Sequence, residues 1–178
     1  MEGALEYKVY NSSFYNSFEY CSRSCFSNAI LIIAGTEIII TNNTCSYHPD
    51  PGIKLRFSQY CNVSYNILRE NRGTEKGSGI YLWRSNYSYI IYNLISSNEA
   101  NGAFLSYSYN NTFHHNAFVD NGNSVEDHAR EHDSDFNIWY DTILLEGNFW
   151  SSWNYLIPYP ITDSNSTDPY PLSSNPLT

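Results

Sequence analysis

One unit returns every 23 to 27 residues along this sequence, and that regularity constrains the fold more tightly than any single motif. In the stretch GSGIYLWRSNYSYIIYNLISSN, Gly79 is followed by Ile80, Leu82, Ser85, Ile90, Asn93, Ile95 and Asn98. The same offsets from Gly52 give Ile53, Leu55, Ser58, Val63, Asn66, Leu68 and Asn71. From Gly102 they give Ala103, Leu105, Ser108, Phe113, Asn116, Phe118 and Asn121. A fainter copy starts at Ala29, with Ile30, Ile32, Gly35, Ile40, Asn43, Cys45 and His48. Successive copies are 23, 27 and 23 residues apart.

A period in this range with two alternating runs per unit describes a solenoid, in which each unit buries its apolar face only by stacking on its neighbours. Leucine-rich repeats need a leucine-dominated pattern and a helical half. Here the second half reads NYSYIIYN or YNNTFHHN, aromatic, β-branched and asparagine-rich, which favours strand and turn. The expected fold is all-β: a parallel β-helix of about five coils of 22–27 residues over residues 1–140, then an irregular C-terminal cap and tail over 141–178. Alternation of side chains turns Ile53, Leu55 and Phe57 inward from one strand and Val63 and Leu68 inward from the other two sides. Tyr7 and Val9 are the inward pair of a weak first coil. Gly52, Gly79 and Gly102 open the coils. Asn66, Asn93 and Asn116 fall at a corner, where Asn tolerates left-handed backbone and its amide reaches the neighbouring coil, so a stacked ladder is expected. The four extra residues of the longer step belong to RGTEKGS, residues 72–78, a polar loop at one corner.

The unit Gly-Ile-x-Leu-x-x-Ser followed by x-Ile-x-x-Asn resembles the NosD-like right-handed β-helix repeat proteins, whose wider class comprises carbohydrate-binding and sugar-hydrolase domains. The C-terminal third is similar to the terminal signature of archaeal surface members. Asn137, Trp139, Gly147, Asn148, Trp150, Ser151, Pro158, Tyr159, Ile161, Asp168, Tyr170, Pro171 and Leu172 carry it in order. The resemblance spans about residues 29–172. It implies a right-handed solenoid, and the family name implies copper delivery during maturation of nitrous oxide reductase. Relatives carry an acidic, glycine-rich segment where this chain has only SWNYLI, so a cation site of that kind is not expected.

Composition narrows the function. The net charge is -9 with only 9 Lys and Arg, which argues against a nucleic-acid partner, because phosphate binding needs a basic face. Aromatic residues make up 17% of the chain, 17 of them Tyr, about twice an average share, which implies outward-facing rings as well as buried ones. AILIIAGTEIIIT is too short for a membrane span and is broken by Glu37, so it reads as two strands. The opening MEGALEYKVY lacks the basic start and apolar run of a signal peptide, and no capping element precedes the first coil. The expectation is a C-terminal piece of a longer secreted or surface protein, or a misplaced start. Cys21, Cys25, Cys45 and Cys61 allow one or two disulfides in an oxidising compartment, or serve as small buried hydrophobes. Their pairing is left open, and Cys21 and Cys25 lack the second close pair of a zinc site. Sequons at Asn11, Asn42, Asn62, Asn86, Asn110 and Asn165 permit glycosylation at a cell surface.

Three constellations could carry chemistry. Polysaccharide-cleaving β-helices place paired carboxylates about 5 to 10 Å apart, yet the outward positions after each repeat glycine hold none. Those positions are Leu31 and Ile33, Lys54 and Arg56, Tyr81 and Trp83, and Phe104 and Ser106. Catalysis would fall to Glu70 and Asp120, at equivalent corners two coils apart, where solvated charges are the competing reading. The same outward stripe suits binding. Tyr81, Trp83 and Phe104 form an aromatic ledge for sugar rings, with Lys54 and Arg56 as donors beside it. Finally, His128 and His132 at helical spacing could share a metal with Asp127 or Asp133, while His114 and His115 lie on a strand. Copper(I) favours Cys and Met, and the one Met is the initiator.

The reading is a non-catalytic surface or secreted module with no cofactor that binds glycan or another cell-surface polymer. A polysaccharide-degrading enzyme, a copper-handling accessory protein and a purely structural stalk are the alternatives.

Overall fold

The computed structural model describes residues 8–10, 13–15, 29–73, 77–122, 128–155 and 158–178. They form a parallel β-helix with three sheets of five, five and six strands and no helix. The first sheet stacks Ile30–Ile33, Ile53–Arg56, Ile80–Trp83, Ala103–Ser106 and Ala129–His132. The second stacks Lys8–Tyr10, Ile39–Thr41, Asn62–Ser64, Tyr89–Ile91 and Thr112–His114. Ser13–Tyr15, Thr44–Ser46, Ile67–Arg69, Leu94–Ser96, Ala117–Val119 and Phe149–Trp150 make the third. Four complete turns, residues 30–46, 53–69, 80–96 and 103–119, lie between partial turns at both ends. No helix among the described residues is long and apolar enough to cross a membrane.

Register follows the repeat. Ile53 pairs with Ile80 and Ile80 with Ala103, so chemically equivalent residues lie directly above one another. Inward columns fill the core: Ile53, Leu55, Val63, Leu68, Ile80, Leu82, Ile90, Ile95, Leu105, Phe113 and Phe118 are all fully buried. The repeat glycines are required by close approach. A Cβ on Gly79 would lie 2.8 Å from the Gly102 carbonyl oxygen, and one on Gly102 would lie 2.6 Å from that of His128.

Asn66, Asn93 and Asn116 stack as expected, within a longer run from Asn43 to Asn148. At each step both the backbone N–H and the side-chain Nδ2 of one Asn donate to the Oδ1 of the next, at 2.9 and 3.0 Å from Asn66 to Asn93 and 2.9 and 3.0 Å from Asn93 to Asn116. Asn93 Nδ2 also donates to the Val63 and Ile91 carbonyls at 2.8 and 3.0 Å. A second ladder joins Asn71, Asn98 and Asn121, and Ser58, Ser85 and Ser108 form a third.

Two expectations need correction. Phe57 does not point inward: it is 43% exposed with φ 54°. It sits where the strand has ended and the backbone turns left-handed, so alternation stops one residue before it. The ladder asparagines are not the left-handed residues either. That role falls to the residue before each rung: Tyr65, Tyr92 and His115 before Asn66, Asn93 and Asn116, and Glu70, Ser97 and Asp120 before the second ladder. Left-handed φ throws the preceding side chain outward and leaves the Asn amide facing the buried corner. The resulting outward rings stack between coils, with Tyr60 on Tyr87 at 5.3 Å and Tyr65 on Tyr92 at 5.1 Å.

Cys45 and Cys61 are buried free thiols, so they do not bridge each other; Cys21, Cys25 and Tyr7 lie outside the described residues. At the C-terminal end Trp139 and Trp150 close the core, fully buried against Phe113 and Phe118. Each indole donates to a buried carboxylate, Trp139 to Glu131 at 2.7 Å and Trp150 to Asp168 at 2.9 Å. Asp168 also accepts from the Asn148 and Tyr170 backbone N–H groups at 2.7 and 3.0 Å, ending the asparagine run.

Asn93→Ala strands several buried groups at once, each worth about 1–3 kcal/mol; we expect a loss of at least about 3 kcal/mol by urea denaturation. Ser85→Ala, which removes one donor to Trp83 and one acceptor for Ser58, should cost less than Asn93→Ala in the same assay. Asp168→Ala should lower stability by about 2–4 kcal/mol, from the N–H groups left unpaired, and hydrogen exchange at the Asn148 amide should accelerate with it.

Candidate functional site

The outward side chains of the first sheet fall into two rows, because strand residues alternate faces and the register is exact from coil to coil. Leu31, Lys54, Tyr81, Phe104 and Arg130 make one row. Ile33, Arg56, Trp83, Ser106 and His132 make the other. Tyr81, Trp83 and Phe104 therefore lie together, with Lys54 and Arg56 one coil away. The Tyr81 and Phe104 rings stack at 5.0 Å with planes 16° apart. Lys54 Nζ lies 4.7 Å from the Tyr81 centroid, and the Arg56 guanidinium lies 4.5 Å from that of Trp83. Arg84 and Phe57, both at the corner, add to this group at 5.5 and 4.8 Å from Trp83. All three ledge rings are half-buried, held flat by their neighbours. Phe57 and Arg84 escaped the sequence reading, because their outward direction comes from the left-handed corner.

Glu70 and Asp120 line one surface cleft of about 520 Å³, with Ser97, Glu99 and Arg72 between or beside them. Asp120 accepts from Ser151 Oγ at 3.2 Å, and Glu99 from the Gly73 N–H at 2.7 Å.

The expected pair of His128 and His132 is not brought together. Ala129–His132 is a strand and not a helix, so four residues span about 13 Å. His128 is buried, near Asn121 and Ser151, whereas exposed His132 pairs with Asp133 at 3.3 Å. Asp127 lies outside the described residues.

A different cluster forms instead. His114, His115 and Asp141 present ligand atoms all within 4.8 Å of one another. His114 ends a second-sheet strand, and His115 occupies the left-handed corner of the Tyr65 and Tyr92 column, stacked on the Tyr92 ring at 4.8 Å. Asp141 comes from a long excursion in the last coil. Asn116 lies three positions after Phe113, but Asn148 lies nine after the equivalent Trp139. The excursion is closed by Asp141 N–H donating to the Glu146 carbonyl at 2.7 Å, and it folds back over the two histidines. Burial, then the neighbouring His115, hold the His114 imidazole below its ordinary value. The Leu144 and Ile143 N–H groups hold the Asp141 carboxyl below the usual carboxylate range. The sequence signal was the departure from the repeat itself: His-His where the other full coils carry Thr-Asn, Ser-Tyr or Ile-Tyr.

These donors bear on copper. The two described thiols do not suit it: burial pushes Cys45 up to about 12 and raises Cys61 as well, and both lie in the apolar core. The two imidazoles and one carboxylate suit copper(II) or zinc(II), which take nitrogen and oxygen ligands.

No curated protein and no solved structure matches the chain. Residues 6–154 match the family model described as periplasmic copper-binding protein (NosD). A repeat architecture with this register and a family match over most of its length place the chain in the NosD family.

Proposed function

We propose that the chain is a non-catalytic β-helix module that binds glycan through the outer face of its first sheet. The observation that carries this reading is the pair of aligned rows, in which Tyr81, Trp83 and Phe104 present flat rings flanked by Lys54, Arg56 and Arg84. Sugar rings dock on aromatic faces through their C–H surfaces while hydroxyls bond to nearby donors. The chain carries net charge -9, yet cations gather at this face, which favours a glycan bearing carboxylates over a neutral one. None of the outward residues of the first-sheet strands is a carboxylate, and the nearby Asp163 and Asp133 are ion-paired to Arg130 and His132, so the strands themselves supply no acid and base pair of the kind glycoside cleavage needs. A periplasmic family meets envelope polymers in the compartment where such a face would serve.

Glycan-array binding followed by calorimetry on uronate and neutral oligosaccharides tests the reading. Trp83→Ala should weaken binding by about 1–3 kcal/mol, taking base-on-ring stacking as the guide. It should cost little stability, whereas Trp150→Ala, at 1% exposure, should cost about 3–5 kcal/mol. Unfolding by Trp83→Ala, or binding untouched by it, would make the face structural.

A further inference from the structure

His115 is held from several sides. Its ring is buried, its Nε2 lies 2.7 Å from Glu146 Oε2, and Tyr92 covers one face at 4.8 Å. A carboxylate at Nε2 accepts a hydrogen bond, which favours the tautomer with N–H at Nε2 and a lone pair on Nδ1. That Nδ1 faces His114 Nδ1 at 2.6 Å. A carboxylate behind one imidazole nitrogen, with the other nitrogen turned toward further donors, is the arrangement by which proteins orient a metal-binding histidine.

Asp141 completes the set. Its Oδ1 accepts both backbone bonds of its own turn, from Ile143 at 2.8 Å and Leu144 at 3.0 Å, so its orientation is fixed without using Oδ2. One six-residue excursion, DTILLE, supplies both acids: Asp141 beside the Nδ1 pair and Glu146 behind His115.

We propose that His114 Nδ1, His115 Nδ1 and Asp141 Oδ2 bind one divalent transition-metal ion, copper(II) in preference to zinc(II), with Glu146 as the residue that positions His115. Two imidazoles and a carboxylate select nitrogen-loving divalent ions over calcium or magnesium, which take oxygen donors. Copper(II) stands above zinc(II) in the general affinity order. Three protein ligands leave a coordination position open. The site lies at the second-sheet corner of the last full coil and is independent of the first-sheet ledge.

The test uses the full chain, stripped with chelator and titrated with copper(II) or zinc(II) chloride by calorimetry, with the melting temperature of each metal-free variant as the folding control. Wild type should take up a single ion per chain at this site, with copper(II) giving an electron paramagnetic resonance spectrum split by two imidazole nitrogens. His114→Ala and Asp141→Asn should each abolish the tight phase, and His114→Ala should also remove one nitrogen coupling. Glu146→Gln should weaken binding by about 10–100-fold, as loss of such an orienting partner typically does. His132→Ala should leave it unchanged. Wild type without a tight phase would overturn the proposal. So would His114→Ala and Asp141→Asn variants that melt like wild type and still bind copper(II) as wild type does.

Discussion

Corners are the constraint on which this molecule depends. A strand can hand its backbone hydrogen bonds to the coil above and below, but a chain that turns at a corner buries N–H and C=O groups that the sheets cannot serve, and leaving them unpaired is costly. Here a side-chain amide supplies the missing partners. Asn93 alone serves the Val63 and Ile91 carbonyls and the Asn66 backbone N–H. The turn that places the amide costs roughly 1–2 kcal/mol for each non-glycine residue held left-handed, and the bonds of the rung offset it.

The same corners explain the tyrosine content. A residue with left-handed φ must point its side chain away from the core, and equivalent residues of successive coils then lie a strand spacing apart, where rings stack. Tyr65 on Tyr92, with planes 2° apart, is such a pair, and His115 continues the column. A chemically distinct residue in this column therefore arrives already oriented, its ring clamped by the tyrosine below. The exposed Ile143, Leu144 and Leu145 sit at the tip of the excursion that approaches it.

What could be read in advance follows from the same geometry. The repeat made the coils, the inward columns and the asparagine run legible, because each is a statement about equivalent positions. It also placed Tyr81, Trp83 and Phe104 together, since strand alternation and register suffice for that. Phe57 was misjudged because alternation was carried past the end of the strand, into the left-handed residue. The histidine cluster was not legible as a site, since Asp141 reaches His114 only through an excursion whose path no periodicity describes. His128 and His132 were paired on helical spacing in a chain whose every described element is a strand.

The asparagine run has a direction. Each rung gives its backbone N–H and one Nδ2 contact forward to the Oδ1 of the next, from Asn43 to Asn148, while Nδ2 also reaches back to a carbonyl of the preceding coil. An asparagine can both donate and accept, so a further coil of the same kind could be spliced between any two rungs without disturbing the pattern. Asp168 does not continue it: its carboxylate accepts from Asn148, Trp150 and Tyr170 and hands no proton on to a further rung. The asparagine run is thus repetitive in its middle and closed at its C-terminal end, where Asp168 takes the place of a further rung.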